Sequence, residues 1–357
     1  MSSRPSSSGK STLAEFRLIE DLRRRFGRTK HGVVRGIGDD TAIVHPSAGN
    51  DLLLTTDLVT EGVHFRLKTA TLRDIGYKAA VANLSDIAAM GGSPEYILVA
   101  VAIPPRYTPR SIKQLYRGLM EACRPHGVQL IGGDTSSSAY GLFLSITVAG
   151  RVPRGRALTR AGARIGDLIY VTGTLGDSLA GLQLLDAVRG REKLSLRARS
   201  FLTSRHRRPT ARIETGRILT RHGLATAAID VSDGLSGDLS HICTQSEVGA
   251  ELNAASLPLS SACRAFAAAQ GASGLRLALQ GGEDYELLFT VPASAQARVE
   301  RLGRRADCLW TCIGVIRPQS FGLRVRDRDG ILRRLPVTSY QHFQTGFKGA
   351  REVPCSP

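Results

Sequence analysis

Hydrophobic positions in the first half of the chain show two kinds of pattern. Apolar residues at steps of three and four, such as Leu13, Phe16 and Ile19, predict amphipathic helices. Short apolar runs such as YILVAVAI, which begins at Tyr96, predict buried strands. The predicted helices are 13–26, 73–90 and 109–123, and the predicted strands are 41–44, 52–55, 96–103, 129–131 and 143–148. This alternation of strand and helix is typical of an α/β domain.

A polar stretch rich in arginine and glycine, residues 151–166, separates this pattern from a second one. The second set comprises strands at 167–172, 227–231 and 286–291 and helices at 177–188 and after Gly234. The Arg205-His206-Arg207-Arg208 cluster falls between elements, which indicates a solvent-exposed connection. We therefore predict two α/β domains, 13–150 and 151–346, between a disordered tail at 1–12 and a carboxy-terminal tail at 347–357.

The composition is that of a globular protein, with 42% hydrophobic and 22% charged residues, and it disfavours disordered, collagen-like and disulfide-rich classes. No apolar run approaches the roughly 18 residues of a membrane helix. The first residues, MSSRPSSSGKST, lack the apolar core of a signal peptide, and the six cysteines form no C-x-x-C pair. These features together predict a cytoplasmic protein with reduced thiols.

The charge is less ordinary, because 48 basic and 31 acidic residues give a formal net charge of +17. Such a field attracts anions, which include nucleic acids, membrane surfaces and small phosphates. A nucleic-acid-binding module is one function that would explain it. The basic residues are dispersed, however, aromatic residues make up only 5%, and the common nucleic-acid-binding signatures do not occur. We therefore expect no nucleic acid and no membrane as partner.

Aspartates in glycine-rich or apolar surroundings recur through both halves of the chain. Several directly follow an apolar strand, where α/β proteins place ligand-binding groups. These aspartates are Asp39, Asp40, Asp57, Asp86, Asp134, Asp230 and Asp233. Any one of them could cap a helix or fix a turn, but together they indicate a negative cluster that needs neutralising cations or protons. Oxygen ligands without histidine or cysteine select magnesium, manganese or calcium.

Glycines near these acids suggest room for a phosphate. They are Gly132, Gly133, Gly173, Gly176, Gly281 and Gly282. Glycine lets backbone amides approach a bulky anion closely, although each of these positions could equally mark an ordinary turn. The spacing thus favours a magnesium-dependent phosphoryl-transfer enzyme that uses no Walker loop.

Seven segments, in the family's order, resemble the thiamine-monophosphate kinases, which belong to the aminoimidazole ribonucleotide synthetase-like ATP enzymes. They are GIGDDTAIV, TTDLVTEGVHF, YKAAVANLSDIAAMGG, QLIGGDT, GRALTRAGARIGDLIYVTGTLGDS, AIDVSDGLSGDL and GGEDYELLFT, within a resemblance that spans about 13–343. The resemblance implies a two-domain α/β (α+β) fold of that architecture, with the amino-terminal sheet at a homodimer interface. It also implies transfer of the γ-phosphate of ATP to thiamine monophosphate, which gives thiamine diphosphate (thiamine pyrophosphate) and ADP, with several magnesium ions (Mg2+) as cofactor.

The same resemblance implies roles for individual residues. The implied magnesium ligands are Asp40, Thr55, Thr56, Asp57, Asp86, Asp134, Asp230 and Asp233. Asp134 and Asp233 are also the implied catalytic residues. The implied ATP-binding residues are Tyr116, Gly133, Asp134, Arg160 and Ser232. His64 and Glu283 are implied to contact the acceptor, whose cationic thiazolium ring suits a nearby carboxylate.

The carboxy-terminal segment departs from the family pattern. Relatives often place a large aromatic residue there against the thiamine ring, whereas LPVTSYQHF aligns Val337 at that position, with Tyr340 nearby as our predicted ring contact. Two alternatives remain open, an ATP-dependent ligase or synthetase that phosphorylates a carbonyl oxygen and a substrate-binding protein that has lost catalysis. The His64-Phe65 pair after Gly62 and the GGEDYE segment favour the kinase.

Overall fold

Two β-sheets, each covered by helices, organise this computed structural model, which describes residues 21–22, 24–27, 33–35, 43–44, 48–186 and 194–337. The strands of a four-stranded sheet all come from the first half of the chain. The strands of a seven-stranded sheet all come from the part of the chain after residue 167, which we call the second half. Residues 154–167 connect the last strand of the first sheet to the first strand of the second.

The first half contains strands β1 (Val33–Arg35), β2 (Ile43–Val44), β3 (Asn50–Thr60), β4 (Ser93–Ile103), β5 (Gln129–Ser137) and β6 (Phe143–Pro153), and helices α1 (Leu72–Ala89) and α2 (Pro109–Cys123). β1 and β2 pair with each other, while the other four strands form the sheet in the order β3-β6-β4-β5. Only β4 and β5 run parallel within it. The strand order places β3 and β5 at the two edges of the sheet.

The second half contains strands β7 (Leu168–Thr172), β8 (Ala227–Asp230), β9 (Val248–Asn253), β10 (Leu287–Val291), β11 (Trp310–Pro318), β12 (Leu323–Arg326) and β13 (Leu332–Arg334). Its helices are α3 (Asp177–Asp186), α4 (Leu196–Arg207), α5 (Ile213–His222), α6 (Leu235–Gln245), α7 (Ser261–Gln270), α8 (Gly274–Gln280) and α9 (Gln296–Gly303). The sheet order is β13-β12-β9-β11-β7-β10-β8, which leaves β8 at the edge.

Helix α1 is central to the site, and local signals fix both of its ends. Thr71 and Asp74 form a capping box at its start, and the chain turns away through Gly91, whose φ is +71°. Its contact with α2 is unusually close, because a Cβ on Gly76 would lie 2.0 Å from the carbonyl oxygen of Leu115. A larger residue at Gly76 would therefore push the two helices apart.

Strand β3 shows the two-residue alternation of a sheet with one covered face. Leu53 is buried on the covered face, whereas Leu52, Leu54 and Leu58 are exposed on the other. The side chains of Thr55 and Asp57 share the covered face with Leu53, because they lie two and four residues further along the strand.

The sequence-based expectation of a mixed α/β architecture with two units of strand and helix is confirmed. The expected helix 13–26 falls partly outside the described residues, and its described part, within 21–26, is helical. No helix in the described part of the chain is long and apolar enough to span a membrane.

The prediction of a solvent-exposed connection at residues 205–208 is wrong. These residues end helix α4, and each contacts a different part of the protein. Arg205 binds Glu286, His206 contacts Ser178, Arg207 donates to the carbonyl oxygen of Thr69, and Arg208 binds Glu121. The partners are distant in sequence, so local pattern could not reveal them.

Candidate functional site

Three aspartates from three separate elements converge beside α1. Asp57 lies on β3, Asp86 lies in the last turns of α1, and Asp230 ends β8. The Thr55 hydroxyl donates a hydrogen bond to Asp86 Oδ2 at 2.5 Å, and the Ser85 hydroxyl donates one to Asp230 Oδ2 at 2.7 Å. We call Asp57, Asp86 and Asp230 the aspartate cluster.

Burial and mutual repulsion raise the pKa values of the aspartate cluster. Burial, followed by the charge of Asp86, raises the pKa of Asp57 to about 6. Burial, followed by the same charge, raises the pKa of Asp230 to about 7, although Ser85 and Arg160 oppose the shift. Burial also raises the pKa of Asp86 against the effects of Thr55 and Arg160. The cluster therefore favours the binding of a proton or a cation, which neutralises its negative charge.

The donor set of the aspartate cluster fits a hard cation. Carboxylate and hydroxyl oxygens are the ligands that magnesium prefers, and the cluster with Thr55 supplies only such atoms. Within residues 48–186 and 194–337 and the short described segments before them, no group of three or more acidic, histidine or cysteine side chains is arranged as a ready-made metal site.

The raised pKa values predict that stability depends on pH when divalent cations are removed. Asp57 keeps its proton in the folded state up to about pH 6 but loses it near pH 4 when unfolded, so folding becomes less favourable as pH rises through that window. We expect the unfolding free energy of the wild type to fall relative to Asp57→Asn by about 1–2 kcal/mol across it, after allowance for solvent screening. Denaturant titrations in EDTA would measure the difference. If the difference in unfolding free energy between the two proteins did not change with pH, this would contradict the placement of Asp57.

Segment 281–286, whose sequence is GGEDYE, forms the second part of the site. Glu283 and Tyr285 adopt positive φ angles of 62° and 51°. Their N–H groups donate to the carbonyl oxygens of Ser232, at 2.8 Å, and Val231, at 2.9 Å. A Cβ on Gly282 would lie 2.7 Å from the Ser232 carbonyl oxygen, so glycine is needed for this close approach. The segment is thereby fixed against the end of β8.

The Glu283 carboxylate faces the amino-terminal half of the chain. Lys78 of α1 places its Nζ 2.6 Å from Glu283 Oε2, and His206 Nδ1 lies 3.6 Å from the same oxygen. Burial alone would raise the pKa of Glu283, but Lys78, His206 and His64 together lower it. His64 is itself held in its turn, because Nδ1 accepts a hydrogen bond from the Thr60 N–H at 3.0 Å.

Tyr285 connects the two parts of the site. It is buried, and its pKa is raised first by burial and then by the charges of Glu283 and the three members of the aspartate cluster. One phenol thus lies within electrostatic range of all four carboxylates. The aspartate cluster and Glu283 are therefore neighbouring parts of one site.

The glycines of VTGTLGDS approach the protein's own carboxylates. A Cβ on Gly173 would lie 2.2 Å from Glu286 Oε1. Asp284 accepts hydrogen bonds from the N–H groups of Gly176, at 2.6 Å, and Ser178, at 3.0 Å. The predicted phosphate cradle at this loop is therefore wrong for this conformation, because internal anions occupy the places expected for a ligand.

Several predicted site residues lie away from the aspartate cluster. Asp134 is exposed on the edge strand β5, in register with Ala100, and β5 lies three strand spacings, about 14 Å, from β3. Its neighbour Gly133 passes so close to β4 that a Cβ would lie 2.0 Å from the Val99 carbonyl oxygen. Thr56 points to the exposed face of the sheet, where its Oγ1 pairs with Thr147 at 3.1 Å.

Tyr116 is a core residue in this structure. Its side chain is only 3% exposed and stacks on Phe26, with ring centroids 6.1 Å apart. The predicted contact with a nucleotide therefore has no support from its position. Asp40 and Tyr340 lie outside the described residues, while Val337 is exposed.

Asp233 and Ser232 follow β8 directly and lie beside Glu283 in the fold. Beyond them, Asp238 is buried in α6 and accepts a hydrogen bond from the Asp233 N–H at 3.3 Å. Burial, followed by the charges of Asp230 and Asp233, raises the pKa of Asp238 to about 8. The site thus contains four residues that were not among the predicted site residues: Lys78, His206, Asp238 and Tyr285. For Lys78, the available signal was a lysine within an otherwise apolar stretch of a predicted helix.

Comparisons with known proteins find relatives with a similar sequence over most of the chain. Two family models match the chain: AIR synthase related protein, N-terminal domain, over residues 38–152, and its C-terminal domain over 164–326. Thiamine-monophosphate kinase of Escherichia coli K12 is 39% identical over 331 residues, which cover 93% of this chain and 98% of that protein.

Solved structures are similar as well. The crystal structure of thiamine-monophosphate kinase from Stenotrophomonas maltophilia K279a has a TM-score of 0.78 and 39% identity, and covers 89% of this chain and 98% of its own. AaThiL complexed with AMPPCP and TMP has a TM-score of 0.72 and 34% identity, with coverages of 92% and 97%. The similarity therefore extends over both sheets.

Proposed function

Because this chain belongs to the thiamine-monophosphate kinase family, we propose that it transfers the γ-phosphate of ATP to thiamine monophosphate. The observation that carries the proposal is the aspartate cluster, in which Thr55 binds Asp86 and Ser85 binds Asp230. The Glu283 carboxylate and the cluster both influence the buried Tyr285. The related AaThiL was solved with AMPPCP, an analogue of ATP, and TMP together, which supports a site for both substrates.

The acceptor supplies its own nucleophile in this mechanism. The second pKa of a phosphate monoester is about 6, so an oxygen of thiamine monophosphate is largely ionised at neutral pH and needs no general base. That oxygen forms a bond to the γ-phosphorus while the bond from this phosphorus to the bridging oxygen breaks, and ADP leaves with the electron pair. The protein's task is alignment and neutralisation of charge.

Individual residues have distinct tasks in this mechanism. Asp57, Asp86 and Asp230, with the Thr55 hydroxyl, would hold magnesium, which neutralises and orients phosphate groups when bound. Arg160 is exposed within electrostatic range of Asp86 and Asp230, so its guanidinium can contact a phosphate that binds there. Glu283 faces the thiazolium ring. The other implied roles stay predictions, namely those of Asp40, Thr56, His64, Tyr116, Gly133, Asp134, Ser232, Asp233 and Tyr340.

The direct test is chromatographic separation of thiamine phosphates after incubation of the protein with ATP, magnesium and thiamine monophosphate. We expect thiamine diphosphate to form from the monophosphate, not from thiamine, and not in EDTA. The absence of thiamine diphosphate with magnesium present would refute the proposed function. Phosphorylation of a carboxylate substrate instead would favour the synthetase alternative.

We also propose that the chain forms a homodimer through the exposed face of the four-stranded sheet. Leu52, Leu54 and Leu58 of β3 and Leu98 of β4 are exposed there and form an apolar surface. Contiguous apolar surface of this kind marks interaction sites in soluble proteins.

We further propose that residues 13–150 form a nucleotide-binding unit and that residues 151–346 form a unit that completes the site. We also propose a cytoplasmic location.

The proposed interface predicts the effect of charge on that face. Replacement of both Leu54 and Leu58 with aspartate is expected to convert the dimer to monomer, because it buries two carboxylates without partners. Sedimentation velocity would measure the change. Leu196→Asp is the matched control, since Leu196 is also an exposed leucine but begins helix α4. A wild-type monomer, or a dimer that survives both substitutions, would contradict the interface.

A further inference from the structure

The pair of Lys78 and Glu283 lies where the acceptor is expected to bind. The side chain of Glu283 is 32% exposed, whereas that of Lys78 is 14% exposed. A ligand can therefore reach the carboxylate while its lysine partner is largely covered. With Nζ and Oε2 2.6 Å apart, the charge of Glu283 is already neutralised before any ligand arrives.

Glu286, only three residues further along, is held very differently. Glu286 is fully buried. Arg212 donates hydrogen bonds to both of its carboxylate oxygens, at 2.6 and 2.7 Å, and Arg205 donates a third at 2.7 Å. Arginine binds a carboxylate through a rigid planar fork, whereas lysine offers one charge on a flexible stem. Of these two neighbouring carboxylates, one is locked in place and the other has a partner that can move.

His206 does not take over the role of Lys78. Burial, followed by the charge of Lys78, lowers the pKa of His206 to about 4, so the ring is neutral at physiological pH. Its Nδ1 also lies 3.1 Å from the Ser178 hydroxyl, nearer than the Glu283 oxygen at 3.6 Å. Lys78 thus supplies the full positive charge in direct contact with Glu283.

We propose that Lys78 is a displaceable counter-ion, and that the cationic ring of the acceptor takes its place against Glu283. The inference rests on the proposed function and extends it to selectivity. A neutral ring cannot neutralise the Glu283 carboxylate, so the ion pair between Lys78 and Glu283 stays formed. A cationic ring can replace the ammonium group as the counter-ion of Glu283 and therefore binds. The pair therefore selects acceptors by charge.

The test compares two ligands in one protein by titration calorimetry, with magnesium and a non-hydrolysable ATP analogue present. One ligand is thiamine monophosphate, and the other is its analogue in which a neutral thiophene replaces the thiazolium ring. We expect the wild type to prefer the cationic ligand, and Lys78→Met to increase that preference about tenfold, because the ammonium no longer competes for a charged hydrogen bond. Lys78→Arg should reduce the preference, because the fork is harder to displace.

Glu283→Gln should abolish the preference with or without Lys78→Met. Lys113→Met is the matched control, since Lys113 pairs with Asp21 at 2.5 Å, away from the described site, and should leave the preference unchanged. An unchanged or smaller preference in Lys78→Met would overturn the inference while leaving the kinase intact. A wild type that neither binds nor phosphorylates thiamine monophosphate would overturn both. Because each preference is a ratio within one protein, partial unfolding of a variant does not change it.

Discussion

Replacement of Asp86 with asparagine is expected to reduce kcat by on the order of a hundred- to a thousandfold, the usual cost of removing one group that contributes to electrostatic stabilisation of a transition state. Asp86 accepts the Thr55 hydrogen bond and raises the pKa values of both Asp57 and Asp230, so it is the member that links the aspartate cluster. Steady-state kinetics with saturating ATP and thiamine monophosphate would measure the loss.

The same substitution should leave the fold intact. Removal of a negative charge relieves repulsion within the cluster, so the midpoint of thermal unfolding in EDTA should stay the same or rise. Asp186→Asn is the matched control, because Asp186 forms an exposed pair with Arg66 at the surface. Near-normal turnover in Asp86→Asn, or an equal loss in Asp186→Asn, would refute the role of the cluster.

Replacement of Arg212 with alanine is expected to destabilise the protein by about 3–5 kcal/mol, because a buried carboxylate is left without its main partner. Glu286 is fully buried, and besides the contacts from Arg212 it accepts one from Arg205 and one from the Thr172 hydroxyl at 2.6 Å. These contacts join α4, the loop before α5, and β7 to the segment that carries Glu283. Denaturant titration would measure the change.

A second arginine of the same region provides the control for this prediction. Arg217 on helix α5 pairs with Glu214 at 3.1 Å, with both side chains more than 40% exposed. Exposed pairs of this kind contribute roughly 0–1 kcal/mol, so Arg217→Ala should have little effect. Similar losses in the two variants would show that the Glu286 network has no special weight in stability.

Local sequence signals were sufficient for helix α1. The expected span of 73–90 differs by one residue at each end from Leu72–Ala89, since the capping box and Gly91 are themselves local features. Strand β3 was expected at 52–55 but spans Asn50–Thr60, because its pairing with β6 continues from Asn50 to Thr60. Pairing with a distant strand sets that length, and a short window of sequence does not contain it.

The site shows the same division between local and non-local information. Aspartates in glycine-rich or apolar surroundings could be recognised from the sequence, and three of them converge, although only Asp230 lies at the end of a strand. The resemblance did not separate Thr55 from Thr56, although the two-residue period of a strand places only Thr55 beside Asp86. The lysine and histidine around Glu283 could not be predicted, because they lie 205 and 77 residues before it in the chain. Only the tertiary fold brings these charges together.

Helix α1 contacts both parts of the site through residues of one continuous helix. Lys78 meets Glu283, and Ser85, seven residues later, meets Asp230. At about 1.5 Å per residue, the two contacts are about 10 Å apart along the helix axis. Backbone hydrogen bonds fix that spacing, so the helix sets the distance between the positions that we propose for the ring and for the phosphates. An acceptor with a longer or shorter link between ring and phosphate would have its reacting oxygen out of position, even if its ring bound perfectly well.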